Sequence, residues 1–130
     1  MAELAQTVTI LYDMQHEGNK KSVDDIGQRV SAQLGIKINI DIPDVWAFWE
    51  RLKSNPNYNF IIMHLANNRA GAYREAQQCR ATSSAVLVAE SIMFPLGREE
   101  VLQHFDDYIG LLSVNNLAAL IQKYGFAKSQ

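Results

Sequence analysis

Apolar runs that suit β-strands alternate with helical patterns five times along the chain, and this alternation restricts the fold more than any other feature. Each β-rich run is short and is followed by apolar residues at helical spacing. The five runs are Thr7–Tyr12, Ile36–Ile42, Phe60–Met63, Ser84–Ala89 and Tyr108–Leu112. Strict alternation of this kind predicts a mostly parallel sheet that is covered by helices on both faces, with right-handed crossovers.

Two of the predicted strands differ in how many faces they bury. Phe60–Met63 is an unbroken apolar run, which is typical of a central strand buried on both faces. Ile36–Ile42 instead alternates isoleucine with Lys37, Asn39 and Asp41, which is typical of a strand with one face in water. We therefore predict an edge position for the second strand, which favours the order 2-1-3-4-5 in a doubly wound, three-layer α/β/α sheet.

The length and composition fit a single domain, residues 1–130. Within it we predict that residues 1–6 and 126–130 are terminal tails. Hydrophobic residues make up 48% of the chain and charged residues 20%, as in ordinary globular domains. No apolar run is long enough to cross a bilayer, and MAELAQTV does not resemble a secretory signal, so we predict a cytoplasmic protein. The net charge of −2, without a long basic block, argues against nucleic-acid binding by this chain alone.

Polar residues end three of the predicted strands. Asp13 follows the first, His64 the third and Glu90 the fourth, and the carboxyl ends of parallel strands meet at one edge of a sheet. Two carboxylates and an imidazole at this edge make a small-molecule or transition-metal site one hypothesis. Asn67 and Asn68, beside a predicted helix start, could add donors for an anion.

Structural roles explain the same side chains without a ligand. His64 could hydrogen-bond a neighbouring loop, since a buried polar group needs a partner, or it could titrate near neutral pH as a switch. Asp13 could cap a turn. Cys79 is the single cysteine, which excludes an internal disulfide and a thiolate metal cluster. The chain has no GxGxxG, GxxxxGK(S/T) or GxSxG motif, so we assign no catalytic residue, no metal ligand and no cofactor.

Two stretches resemble strands of the receiver domains of two-component response regulators, and the resemblance covers nearly the whole chain. YNFIIMHL is similar to the third receiver strand, so that His64 stands in the place of the phospho-accepting aspartate. DDYIGLL is similar to the fifth strand, so that Leu111 stands for its lysine and Leu112 for its proline. The resemblance implies a flavodoxin-like (βα)5 fold and a role in signal transduction.

The chain departs from the receiver pattern at the positions that carry the reaction. Tyr12-Asp13 leaves one carboxylate where an acidic pair holds Mg²⁺, an ion that prefers several oxygen ligands in octahedral geometry. Ala89 falls where a hydroxyl residue belongs, and Leu111 replaces the lysine. The chain is thus similar to a degenerate member of the family, a pseudo-receiver that is not competent for aspartyl phosphorylation.

A protein partner is indicated by the apolar segment that follows the fourth strand. Ile92–Leu96 is almost entirely apolar, and an isolated domain ordinarily avoids exposing such a patch. In receivers the fourth helix, fifth strand and fifth helix commonly mediate dimers or output. The resemblance therefore implies a partner or homodimer interface that includes Met93, Phe94, Val101, Tyr108 and Tyr124.

Two hypotheses of function follow. The first is a non-enzymatic, receiver-like signalling module that acts through protein–protein contact or dimerisation. The alternative is a small-molecule or metal-binding protein, or an enzyme, whose site at the carboxyl edge of the sheet uses Asp13, His64 and Glu90.

Overall fold

The chain forms a five-stranded parallel sheet with helices packed on both faces. The computed structural model describes residues 7–13, 20–44, 47–65, 69–91 and 98–125. The strands are β1 (Thr7–Asp13), β2 (Lys37–Asp41), β3 (Phe60–His64), β4 (Val86–Glu90) and β5 (Asp107–Ile109). The helices are α1 (Lys20–Leu34), α2 (Phe48–Ser54), α3 (Arg69–Thr82), α4 (Arg98–Leu102) and α5 (Val114–Lys123).

The strand order is β2-β1-β3-β4-β5, and every neighbouring pair is parallel, so the predicted doubly wound topology is confirmed. β2 lies at one edge, as its alternating pattern indicates, and its side chains are exposed or half-buried. The first four residues of β3 are fully covered on both faces of the sheet. His64, the polar last residue of β3, therefore lies at the carboxyl ends of the strands, at the point where the strand order reverses.

Two hydrophobic cores, one on each face of the sheet, hold the layers together. Because successive strand residues point to opposite faces, Phe60 and Ile62 pack with α1 and α5, whereas Ile61 and Met63 pack with α2, α3 and α4. His64 follows Met63 and so belongs to the α1/α5 face. This alternation decides which strand-end side chains meet.

Local features set two of the helix boundaries. Gly35 ends α1 with a φ of 70°, a left-handed conformation that glycine adopts without a Cβ penalty. A capping box between Ser113 and Asn116 begins α5. No helix within the described residues has the length and apolar character needed to cross a membrane. The predicted tails at 1–6 and 126–130 lie outside the described residues.

The fifth strand is shorter than the sequence predicts. The expected run Tyr108–Leu112 is replaced by Asp107–Ile109, and the chain leaves the sheet at Gly110. The backbone N–H of Leu112 donates to the Glu90 side chain and not to a neighbouring strand, so β5 ends before this residue. This departure brings the segment before α5 against the carboxyl end of β4.

Candidate functional site

Glu90, the last residue of β4, is fully buried at the carboxyl edge of the sheet. Its Oε1 accepts a hydrogen bond from the Tyr12 phenol of β1. Its Oε2 accepts one from the backbone N–H of Leu112, at 2.6 Å. These internal donors offset the desolvation that a buried carboxylate otherwise suffers. Glu90 therefore links β1 to the segment that leads into α5.

His64 lies beside Glu90 in the register of β3 and β4. The His64 Nδ1 atom is 3.3 Å from Glu90 Oε1, and the imidazole side chain is 23% exposed, so the ring contacts both a buried carboxylate and solvent. The hydrogen bond to Glu90 raises the pKa of His64, and the charges of Glu90 and Asp13 act in the same direction, whereas partial burial opposes them. The pair thus favours a protonated imidazole.

Tyr12 completes this cluster, which we call the edge network: Tyr12, His64 and Glu90. Burial raises the pKa of Tyr12 far above its ordinary value, and the hydrogen bond and charge of Glu90 raise it further. The phenol consequently stays protonated near neutral pH and acts as a hydrogen-bond donor. The network joins three strands through one shared carboxylate.

Asp13 lies at the same edge but on the opposite face of the sheet, since strand residues alternate and Tyr12 belongs to the α1/α5 face. Burial raises the pKa of Asp13 to about 6, and the charge of Glu75 on α3 adds to this effect, while His64 opposes it. The Cys79 thiol, also on α3, has a pKa raised to about 12 by burial and then by these carboxylates. Asp13 therefore faces α3 rather than joining the edge network.

The structure thus brings His64 and Glu90 into contact and places Asp13 on the far side of the sheet. Within the described residues, no three His, Cys, Asp or Glu side chains are grouped so as to hold a metal ion. The predicted anion donors Asn67 and Asn68 lie outside the described residues.

Sequence reasoning did not identify two partners of Glu90, the Tyr12 hydroxyl and the Leu112 N–H. The Leu112 contact depends on where β5 ends, which no local pattern indicates. Tyr12 carried a signal, because it is the one hydroxyl-bearing aromatic residue in the run that forms β1. The face of the sheet on which the Tyr12 side chain lies follows only from the register that aligns this residue with Ile62.

The predicted interface residues occupy different environments. Val101 is fully buried in the core beneath α4, so, contrary to expectation, its side chain offers no surface to a partner. Tyr108 is half-buried against the same core. The half-buried Tyr124 stacks edge-on against Phe60, with ring centroids 5.8 Å apart. Met93 and Phe94 lie outside the described residues.

Two leucines near these positions are exposed instead. Leu102 ends α4 and is 39% exposed, and Leu111, between β5 and α5, is 59% exposed. Burying a leucine side chain is worth about 1.5–3 kcal/mol relative to leaving it in water. These side chains are the exposed large hydrophobic residues of the described part of the chain.

Comparison with known proteins supports the fold. No protein-family model and no curated protein matches the chain. It is similar to the crystal structure of a 3-dehydroquinate dehydratase-like protein from Bifidobacterium longum, with a TM-score of 0.54 and 10% identity, covering 91% of this chain and 94% of that one. Together with the strand order, this likeness places the chain in the class of flavodoxin-like, doubly wound α/β proteins. The name of that protein refers to a dehydratase and not to a receiver domain.

Proposed function

We propose that this chain is a receiver-like signalling module that works through contact with another protein and not through a reaction of its own. The observation that carries the proposal is Glu90. It lies against His64, the residue in the place of the phospho-accepting aspartate, and its oxygens are already engaged by Tyr12 and Leu112. The His64 Nδ1 atom is engaged by this side chain, so that ring nitrogen is not free to accept a phosphoryl group.

The edge network offers a route from the sheet to the surface. The Leu112 N–H that binds Glu90 belongs to the residue after the exposed Leu111. The Leu111 carbonyl in turn accepts a hydrogen bond of 2.6 Å from Asn116 Nδ2 in the first turn of α5. A change in the contact between His64 and Glu90 would therefore reach Leu111 through a single peptide unit.

The surface that we propose for the partner consists of α4, β5 and the start of α5. Leu102 and Leu111 are exposed in this region, and burying each of them at a contact would contribute about 1.5–3 kcal/mol. The cytoplasmic location and the link to two-component signalling belong to the same proposal. Their support is the likeness of YNFIIMHL and DDYIGLL to receiver strands.

Charge substitutions at the two leucines test this surface. The Leu102→Asp and Leu111→Asp variants are expected to capture at least tenfold less partner protein than the wild type from a lysate of the cells that make this chain. The reason is that burying an ionised carboxylate at an apolar contact is costly. The measurement is quantitative mass spectrometry of the captured proteins. Gln77→Asp, an exposed position on α3, is the matched control and should capture the wild-type set. Identical capture by all the variants would contradict the proposed surface.

A second candidate function is ligand binding or catalysis on the α3 side of the edge. Its support is Asp13, because a carboxyl whose pKa is raised to about 6 suits general acid–base chemistry near neutral pH. The name of the Bifidobacterium protein suggests 3-dehydroquinate as a first compound, to be tested beside phosphate and divalent cations in a thermal-shift series. A compound that raised the melting temperature of the wild type but not of Asp13→Asn would favour this candidate. No such shift is expected from the signalling module.

A further inference from the structure

The edge strand β2 and its flanking residues have nearly the same sequence in both directions. The segment is IKINIDI, residues 36–42, with Asn39 at its centre. Reversal exchanges isoleucine with isoleucine and Lys37 with Asp41, a residue of opposite charge. We propose that two copies of this chain associate by antiparallel pairing of their β2 strands about a two-fold axis at Asn39.

The free side of β2 is open to such pairing. Among the described strands β2 has one neighbour, β1, so its other side presents backbone N–H and C=O groups without a strand partner. A second copy in antiparallel orientation would supply partners for them and would continue the sheet across the axis. A two-fold axis also makes the contact self-limiting, because each copy uses its single free β2 edge.

The isoleucines of β2 contribute an apolar element to the contact. Ile38 and Ile40 pack against the core under α1 but remain half-buried at the edge. α1 approaches closely at Gly27, where a Cβ atom would come within 2.8 Å of Ile40 Cδ1. In the register centred on Asn39, Ile38 of one copy lies directly opposite Ile40 of the other, and such cross-strand pairs stabilise antiparallel sheets.

The charged ends of β2 fix the register. Lys37 is exposed. Asp41 is bound by Arg51 and by the Tyr58 hydroxyl at 2.6 Å, so its carboxylate is held in place while remaining 28% exposed. Lys37 of each copy would face Asp41 of the other copy. A shift by two residues would separate these charges and would place Lys37 opposite Asn39.

Engineered cysteines test the register directly. Directly opposed Cα atoms of an antiparallel pair are about 4.5–5.5 Å apart, within the range that a disulfide spans. An Asn39→Cys variant is therefore expected to form a disulfide-linked dimer under mild oxidation, since its only other cysteine, Cys79, is buried. The measurement is non-reducing electrophoresis of the full chain.

Lys37→Cys is the matched control, because it lies on the same strand and the same face. In the proposed register the two copies of residue 37 are about 14 Å apart, too far for a disulfide. Cross-linking of Asn39→Cys at least tenfold faster than Lys37→Cys supports the register. Equal rates for the two variants, or no cross-link at either position in a folded protein, would overturn it.

A charge reversal tests the same contact without cysteine chemistry. Lys37→Glu places like charges opposite each other at both symmetric positions, so the dimer dissociation constant from sedimentation equilibrium should rise by roughly tenfold or more. If Lys37 instead protected the edge from pairing, its replacement would leave the association unchanged or strengthen it. The β2 edge is separate from the Leu102 and Leu111 surface, so either proposal can fail without the other.

Discussion

Replacing Glu90 with alanine is expected to lower the free energy of unfolding by about 3–5 kcal/mol, the range found when one partner of a buried charge network is removed. The Tyr12 hydroxyl and the Leu112 N–H, which both donate to Glu90, would be left without that partner inside the protein. Such orphaned donors lose their hydration without compensation. Denaturant unfolding followed by circular dichroism measures the change.

Two comparison variants show whether the loss comes from the network. Tyr12→Phe removes a single donor to the carboxylate and should cost about 2 kcal/mol. Glu99→Ala, at an exposed position on α4, should stay within about 0.5 kcal/mol of the wild type. If Glu90→Ala were no more destabilising than Glu99→Ala, the buried edge network would not exist as described.

Replacing Asp13 with asparagine is expected to stabilise the protein by about 3 kcal/mol near pH 8, which is the free-energy equivalent of raising a carboxyl pKa from 3.8 to about 6. The folded state binds the Asp13 proton more tightly than the unfolded state does. The stability that this group contributes is therefore present below pH 3.8 and is lost as the pH rises through about 6. The asparagine variant is neutral throughout and escapes this loss.

The sign of this effect is open to direct measurement. Unfolding free energies of the wild type and Asp13→Asn should be close near pH 4 and should diverge as the pH approaches 8, with Asp24→Asn on the exposed face of α1 as the control. His64 has a raised pKa as well, so its contribution is also present at low pH and is lost as the pH rises through its folded value. A difference between wild type and variant that did not depend on pH would contradict the burial of the Asp13 carboxyl.

A buried carboxyl group with a raised pKa, such as Asp13, is a feature common to functional sites. In a receiver, the corresponding position would help to hold Mg²⁺. Here Glu75 and Cys79 lie near the Asp13 carboxyl group. The described residues contain no group of side chains that is suited to a metal ion. The Asp13→Asn variant therefore also reports on function. Under the signalling proposal it should capture the same partner as the wild type.

The strand order was predictable because two short patterns carried it. The alternation of isoleucine with Lys37, Asn39 and Asp41 marks an edge, and the unbroken run Phe60–Met63 marks the centre. These patterns are local and depend only on which faces are buried. The fold class consequently follows from local patterns, without any contact between distant residues.

The arrangement at the carboxyl edge was predictable only in part. The sequence indicates that Asp13, His64 and Glu90 end neighbouring strands, but the face on which each side chain lies depends on the long-range register. The same limit applies to Val101, which the short helix α4 buries completely. Five residues are too few for a periodic pattern to show which side of a helix is inside.

A phosphorylation assay would decide our proposal that the edge network stands in place of receiver chemistry. The wild-type protein would be incubated with acetyl phosphate and Mg²⁺, beside a phosphorylation-competent receiver domain as a positive control. Intact mass would be read at neutral pH, which preserves both aspartyl and histidyl phosphate. We predict an unchanged mass for this chain, since Glu90 is buried against His64 and one carboxylate at Asp13 binds Mg²⁺ poorly. A stable gain of one phosphoryl group at Asp13 or His64 would contradict the account.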